Sequence, residues 1–140
     1  MTEDEKKNGI PTNLNIHRLT LMNDAYRREI WTGDHLQITL MCIPAGGEIG
    51  LEIHPELDQF LRVEYGVGSV YLGKERKEVA YLGEADASSA ILIPAGTYHN
   101  VLNRRNVPLK LYSIYAPPKH PAGTLQRTKF DADLAEEAER

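Results

Sequence analysis

The chain has 140 residues, 41% of them hydrophobic and 26% charged, which suits one globular domain able to enclose its own core without staples. A net charge of −4 with no basic stripe argues against a nucleic-acid partner, and no apolar run approaches the ~18 residues of a membrane span. A lone Cys42 excludes an internal disulfide, and the charged stretch 1–7 has no apolar segment behind it, so a reducing cytoplasm is the expected compartment.

Residues 1–20 are polar and interrupted by Gly9 and Pro11, which predicts an N-terminal arm. From Arg27 onward the character is β. Leu36–Ile43 alternates and ends at Pro44-Ala45-Gly46-Gly47, a turn. Further strand-like runs are Glu48–His54, Gln59–Tyr65, Ser69–Leu72, Glu78–Leu82, Ala90–Ile93, Tyr98–Leu102 and Leu109–Tyr115, most of them separated by Gly or Pro. Such short, evenly spaced strands predict a β-sandwich or small barrel over 21–118. After Ala116-Pro117-Pro118 the segment 119–140 reads as a tail, with Asp133 and Glu136 placed to cap a last, surface helical turn.

Two blocks about forty residues apart carry the chemistry. The first is Gly46-x5-Glu52-x-His54-x4-Gln59-x6-Gly66; the second is Pro94-Ala95-Gly96-Thr97-Tyr98-His99-x3-Asn103. Side chains two apart in a strand share a face, so Glu52 and His54 project together. The tight turn over 55–58 returns the chain with Gln59 opposite His54, and His99 arrives from a distant strand. A carboxylate, two imidazoles and an amide then converge, a donor set suited to a divalent metal.

The blocks resemble the two signature blocks of the cupin superfamily, G-x5-H-x-H-x3,4-E-x6-G and G-x5-P-x-G-x2-H-x3-N. The resemblance, spanning about Gly33 to Pro118, implies an all-β fold, a double-stranded β-helix (jelly-roll) barrel with a short N-terminal arm and a C-terminal tail or helix. It also implies that Glu52, His54, Gln59 and His99 hold the metal. Glu52 stands where the pattern has its first histidine, Gln59 where it has glutamate, and Ser88 where it has a glycine six residues before Pro94. The first two exchanges leave one negative charge in the donor set, so Zn, Fe, Mn or Ni all remain candidates.

Two functions follow from the likeness. One is a small-molecule metalloenzyme with open coordination positions, either sugar-isomerase-like or of the dioxygenase type, with Glu52 as ligand or catalytic base. Type I phosphomannose isomerases bind zinc through a similar set of Gln, His, Glu and His, although no matching cluster of Lys and Arg stands near the motifs here. The other is a non-catalytic binding module for a sugar or small organic acid. A homodimer is expected, with Leu51, Ile53 and Phe60 on an outer face. One of Tyr112 and Tyr115 should face the interior, whereas Tyr98, His17 and His120 carry no expected role.

Overall fold

The computed structural model describes residues 8–138. Among these, the chain forms α1 (Ile16–Met22), β1 (Arg27–Thr32), β2 (Gln37–Ile43), β3 (Asp58–Tyr65), β4 (Gly68–Gly73), β5 (Ala80–Ala85), β6 (Ala90–Ile93), β7 (Tyr98–Leu102), β8 (Leu109–Ala116), β9 (Leu125–Gln126) and α2 (Lys129–Ala138). The strands make a six-stranded sheet in the order β6-β3-β8-β2-β1-β9 and a three-stranded sheet in the order β5-β4-β7. All pairings are antiparallel.

The period of two explains the core. Thr39, Met41 and Ile43 on β2, Leu61 and Val63 on β3, and Leu109, Leu111, Ser113 and Tyr115 on β8 are all buried. Register sets Met41 and Val63 against Leu111, and Ile43 against Leu109. The small sheet adds Val70, Ala85 and Val101 to the same apolar cluster. On the outer face, Phe60, Ile38 and Ile114 meet Ile16 and Leu19 of α1 in a second cluster.

The closed jelly-roll barrel expected from the sequence is not what forms: the β-barrel gives way to two open sheets and two helices. Closure needs hydrogen bonding between the edges of the two sheets. Among the described residues, β6 pairs with β3 and β5 with β4, and neither edge meets the other sheet. The expected strand Glu48–His54 also fails to form. It touches β7 only through isolated bridges, Glu48 to Leu102 and Glu52 to His99. Between them Gly50 adopts φ 103°, a left-handed conformation that breaks the extended run, and its N–H is taken by the Asn100 side chain at 2.8 Å.

Both helices depart from expectation. The N-terminal segment contains α1, capped by Asn15, whose side chain accepts from the Arg18 N–H at 3.0 Å. Lys110 of β8 donates to the Leu21 carbonyl near its other end. Helix α2 begins before the residues expected to cap it. Thr128 accepts from the Asp131 N–H, so Asp133 and Glu136 lie within the helix, and Ala132 is buried. No helix among the described residues is long and apolar enough to cross a membrane.

Ser88 keeps the backbone shape of the glycine it replaces in the pattern. Its φ is 75°, and its N–H donates to the Val63 carbonyl at 2.7 Å. That bond fixes the approach to β6 at the cost of a crowded Cβ.

Candidate metal centre and its cavity

Turn chemistry brings the two blocks together. Gly96, at φ 80°, donates its N–H to the His54 carbonyl at 2.9 Å, and Glu52 and His99 exchange backbone hydrogen bonds at 3.0 and 2.9 Å. Asn103 is a loop clamp: its amide nitrogen contacts the carbonyls of Ile43, Pro44 and Val107, and its oxygen accepts from the Arg105 N–H. The glycines and the asparagine of the motifs therefore shape loops, and the remaining polar positions supply the donor atoms.

One ligand atom each from Glu52, His54 and His99 lies within 4.8 Å of the other two. His99 is almost fully buried, and its Nδ1 contacts the Thr97 carbonyl at 3.0 Å. With the proton on Nδ1, the Nε2 lone pair is left for a ligand. Burial, only partly opposed by that carbonyl, holds the His99 pKa below the ordinary imidazole value. The His54 Nε2 sits 3.1 Å from a Glu52 carboxylate oxygen, yet it is buried without a properly directed hydrogen bond. Two potential ligand atoms this close can share a cation. Burial opposes ionisation of Glu52, but the nearby His54 ring and the Arg27 guanidinium outweigh it and keep this carboxyl below its usual range.

Gln59 is buried on β3. Its amide nitrogen donates to the Ser113 hydroxyl at 2.8 Å, which turns the amide by a definite hydrogen bond. Its Oε1 is buried without a partner, a state that costs free energy unless something else binds it. Tyr115, not Tyr112, faces the interior. Its fully buried ring meets His54 edge-on at 6.0 Å and His120 at 5.2 Å, whereas Tyr112 stacks on Phe60.

A cavity of about 390 Å³ opens beside Glu52 and His54. Segment 49–54 forms one wall, α2 another through Lys129, Ala132, Asp133, Ala135 and Glu136, and the C-terminal segment a third through Lys119, His120 and Gln126. Leu51 and Ile53, expected on an outer face, line this cavity, as does Tyr98, over whose ring Arg76 sits at 5.5 Å. Four basic side chains, Arg27, Arg76, Lys119 and Lys129, border it. The sequence motifs gave no hint of them, because each comes from a segment outside both blocks.

His120 was also missed. It is held over the site by its backbone: buried Gln37 accepts from the N–H groups of Lys119 and His120 and donates to the His120 carbonyl. Burial first, then the neighbouring Arg27 charge, pushes the His120 pKa down to about 3, so its imidazole is neutral near pH 7.

The Cupin domain family model matches residues 39–115, a span that contains both blocks and every candidate ligand. The chain belongs to the cupin family. This cupin is 53% identical over 127 residues to the uncharacterized protein YrkC of Bacillus subtilis, covering 91% of the chain and 68% of the relative. It is 41% identical over 113 residues to the uncharacterized protein L612 of Acanthamoeba polyphaga mimivirus, covering 80% of the chain and 69% of that protein. The crystal structure of BH2720 from Bacillus halodurans superposes with a TM-score of 0.88 at 57% identity, covering 89% of this chain and 95% of that one.

Proposed function

We propose that this cupin is a metal-dependent enzyme acting on a small molecule in the cavity beside Glu52, His54 and His99. One observation carries the reading: the buried His54 Nε2 stands 3.1 Å from the Glu52 carboxylate with no directed hydrogen bond to it, and His99 completes the cluster. Buried polar atoms without partners are rare in folded proteins, and a cation supplies the missing partner. Gln59 is a fourth donor on the same argument, through its unpartnered Oε1.

A divalent ion held there would supply a Lewis acid for a carbonyl or enediolate oxygen, or redox chemistry if it is iron. The protein's part is to present three or four donors, to keep water out with the buried Tyr115 wall, and to hold Glu52 ionised. Released from the ion, the Glu52 carboxylate would accept a substrate proton, while the neutral His120 beside the cavity offers a hydrogen-bonding group to the ligand. The pairing of two imidazoles with a carboxylate and an amide supports the sugar-isomerase-like form of the reading. Open positions around two imidazoles and a carboxylate support the dioxygenase form.

Elemental analysis of protein purified without chelator, beside His54→Ala, tests the centre. About one equivalent of Zn, Fe, Mn or Ni in the wild type, lost in the variant, is expected. Equal metal content in the two proteins removes His54 from the site, and no uptake by wild type after soaking with each ion removes the centre.

A further inference from the structure

Arg27 is a buried positive charge that the metal centre does not explain. Its side chain is 5% exposed and borders the cavity. It is held in place rather than neutralised: Nη1 donates to the Gln126 amide oxygen at 2.7 Å, and the guanidinium lies 5.4 Å from the centre of the Tyr26 ring. Nε is buried without a hydrogen-bond partner. Among the described residues no carboxylate forms an ion pair with Arg27, whereas the acids Glu64 and Glu52 each have a close basic neighbour. A fully buried guanidinium without an anion is unusual, because arginine keeps its charge at any ordinary pH.

The charges around the cavity sharpen the point. Lys129 is satisfied by Asp133 at 3.0 Å. Lys119 and Arg76 stand exposed at the rim, and the acids present are Glu52, Asp133 and Glu136. Glu52 is paired with His54 and acts on Arg27 only electrostatically, so the buried guanidinium has no ion-pair partner of its own among the described residues. Arg27 sits on β1, outside both family blocks.

We propose that Arg27 is the anchor for an oxyanion group on the ligand, so that the cavity takes a small acid, with its carboxylate or phosphate at Arg27 and another oxygen turned toward Glu52, His54 and His99. The planar guanidinium, fixed on one side by Gln126 and on its face by Tyr26, and met by the Tyr115 hydroxyl, lies at the cavity already ordered. The second anchor rests on the metal-centre reading; the first does not.

Isothermal titration calorimetry on the full chain, with metal content fixed by elemental analysis, tests this. Pyruvate and its neutral analogue pyruvamide are the probes. Wild type is expected to bind pyruvate at least about tenfold more tightly than pyruvamide. Arg27→Gln, which keeps an amide to meet Gln126, is expected to erase that preference without changing metal stoichiometry. Competition by inorganic phosphate would extend the oxyanion class to phosphates, and its absence would narrow the class to carboxylates. Equal binding of the two probes by wild type, or binding of neither, overturns the proposal, as does an unchanged preference in folded Arg27→Gln. The wild-type comparison needs no variant, so misfolding of Arg27→Gln leaves the test intact. If wild type takes up no metal but still prefers pyruvate, the metal centre falls and the anion site stands.

Discussion

The interior of this cupin has two ends built on the same strands and made to opposite rules. At one end Met41, Ile43, Val63, Leu109 and Leu111 of the large sheet meet Val70 and Val101 of the small one, all apolar and all buried. A few residues along the same strands, the inward positions become Gln37, Thr39, Gln59, Ser113 and Tyr115, with Glu29 beside Thr39 on β1 and Arg27 at the boundary opposite Met41, all buried. Burying hydrocarbon stabilises the fold at about 25 cal/mol per Å², whereas burying polar groups returns little net stability even when they are paired. The apolar end therefore holds the sheets together. The polar end contributes less to stability, and the buried unpartnered atoms, in Arg27, Thr39, His54 and Gln59, are concentrated there.

That contrast can be broken by one substitution at each end. Leu111→Ala at the apolar end should lower stability by about 2–5 kcal/mol, read as a fall in denaturation midpoint with metal stoichiometry unchanged. The double variant Gln59→Leu/Ser113→Ala removes both partners of one buried hydrogen bond and one orphan oxygen. It should leave stability the same or slightly higher, while metal affinity falls at least about tenfold. Unchanged affinity would take Gln59 out of the donor set; a loss of stability as large as that of Leu111→Ala would dissolve the distinction between the ends.

A smaller effect concerns pH. His120 is depressed to about 3 when folded against an ordinary value of about 6.5. Between those values the unfolded chain binds a proton that the folded chain refuses, so stability is lost as pH falls through this window. The slope from this group is at most about 1.4 kcal/mol per pH unit. Denaturation of His120→Gln followed from pH 6.5 to 4 should show a shallower decline, and an identical slope would mean that His120 is reached by water.

The smallest expected effect lies outside both ends. Ser88→Gly should relieve a left-handed backbone costing about 1–2 kcal/mol, partly offset by the greater freedom of glycine when unfolded. A net gain of about 1 kcal/mol or less, seen as a denaturation midpoint a few degrees higher, is the outcome that fits. A fall in midpoint would mean that the Ser88 side chain makes a contribution of its own.

The family blocks were legible because they are local. Glu52, His54 and His99 stand at the motif positions the blocks mark. The Glu52–His99 backbone bridge and the Gly96 turn bring them together although residues 48–54 form no strand. Locality made most strands legible too. Closure of the sheets was not, because it depends on which edges meet, and Gly50 undoes a strand in a stretch whose alternation looked regular. Arg27 was hidden by its neighbours: Arg27-Arg28-Glu29 reads as a charged, solvated run, although β1 buries the first and third of these and leaves Arg28 half-exposed. His120 and Lys119 reach the cavity through a loop with no motif, held by a glutamine more than eighty positions earlier. Helix α2, expected as a frayed surface turn, became a wall because its alanines fit against the cavity.

Gln37 grips that loop only by backbone atoms: two N–H groups and one carbonyl. Main-chain anchoring is indifferent to the side chains it carries. Positions 119 and 120 can therefore change their chemistry without shifting the wall, like interchangeable bits in a fixed chuck. A chain built on this frame can vary that wall while leaving the candidate metal donors and the folding core untouched.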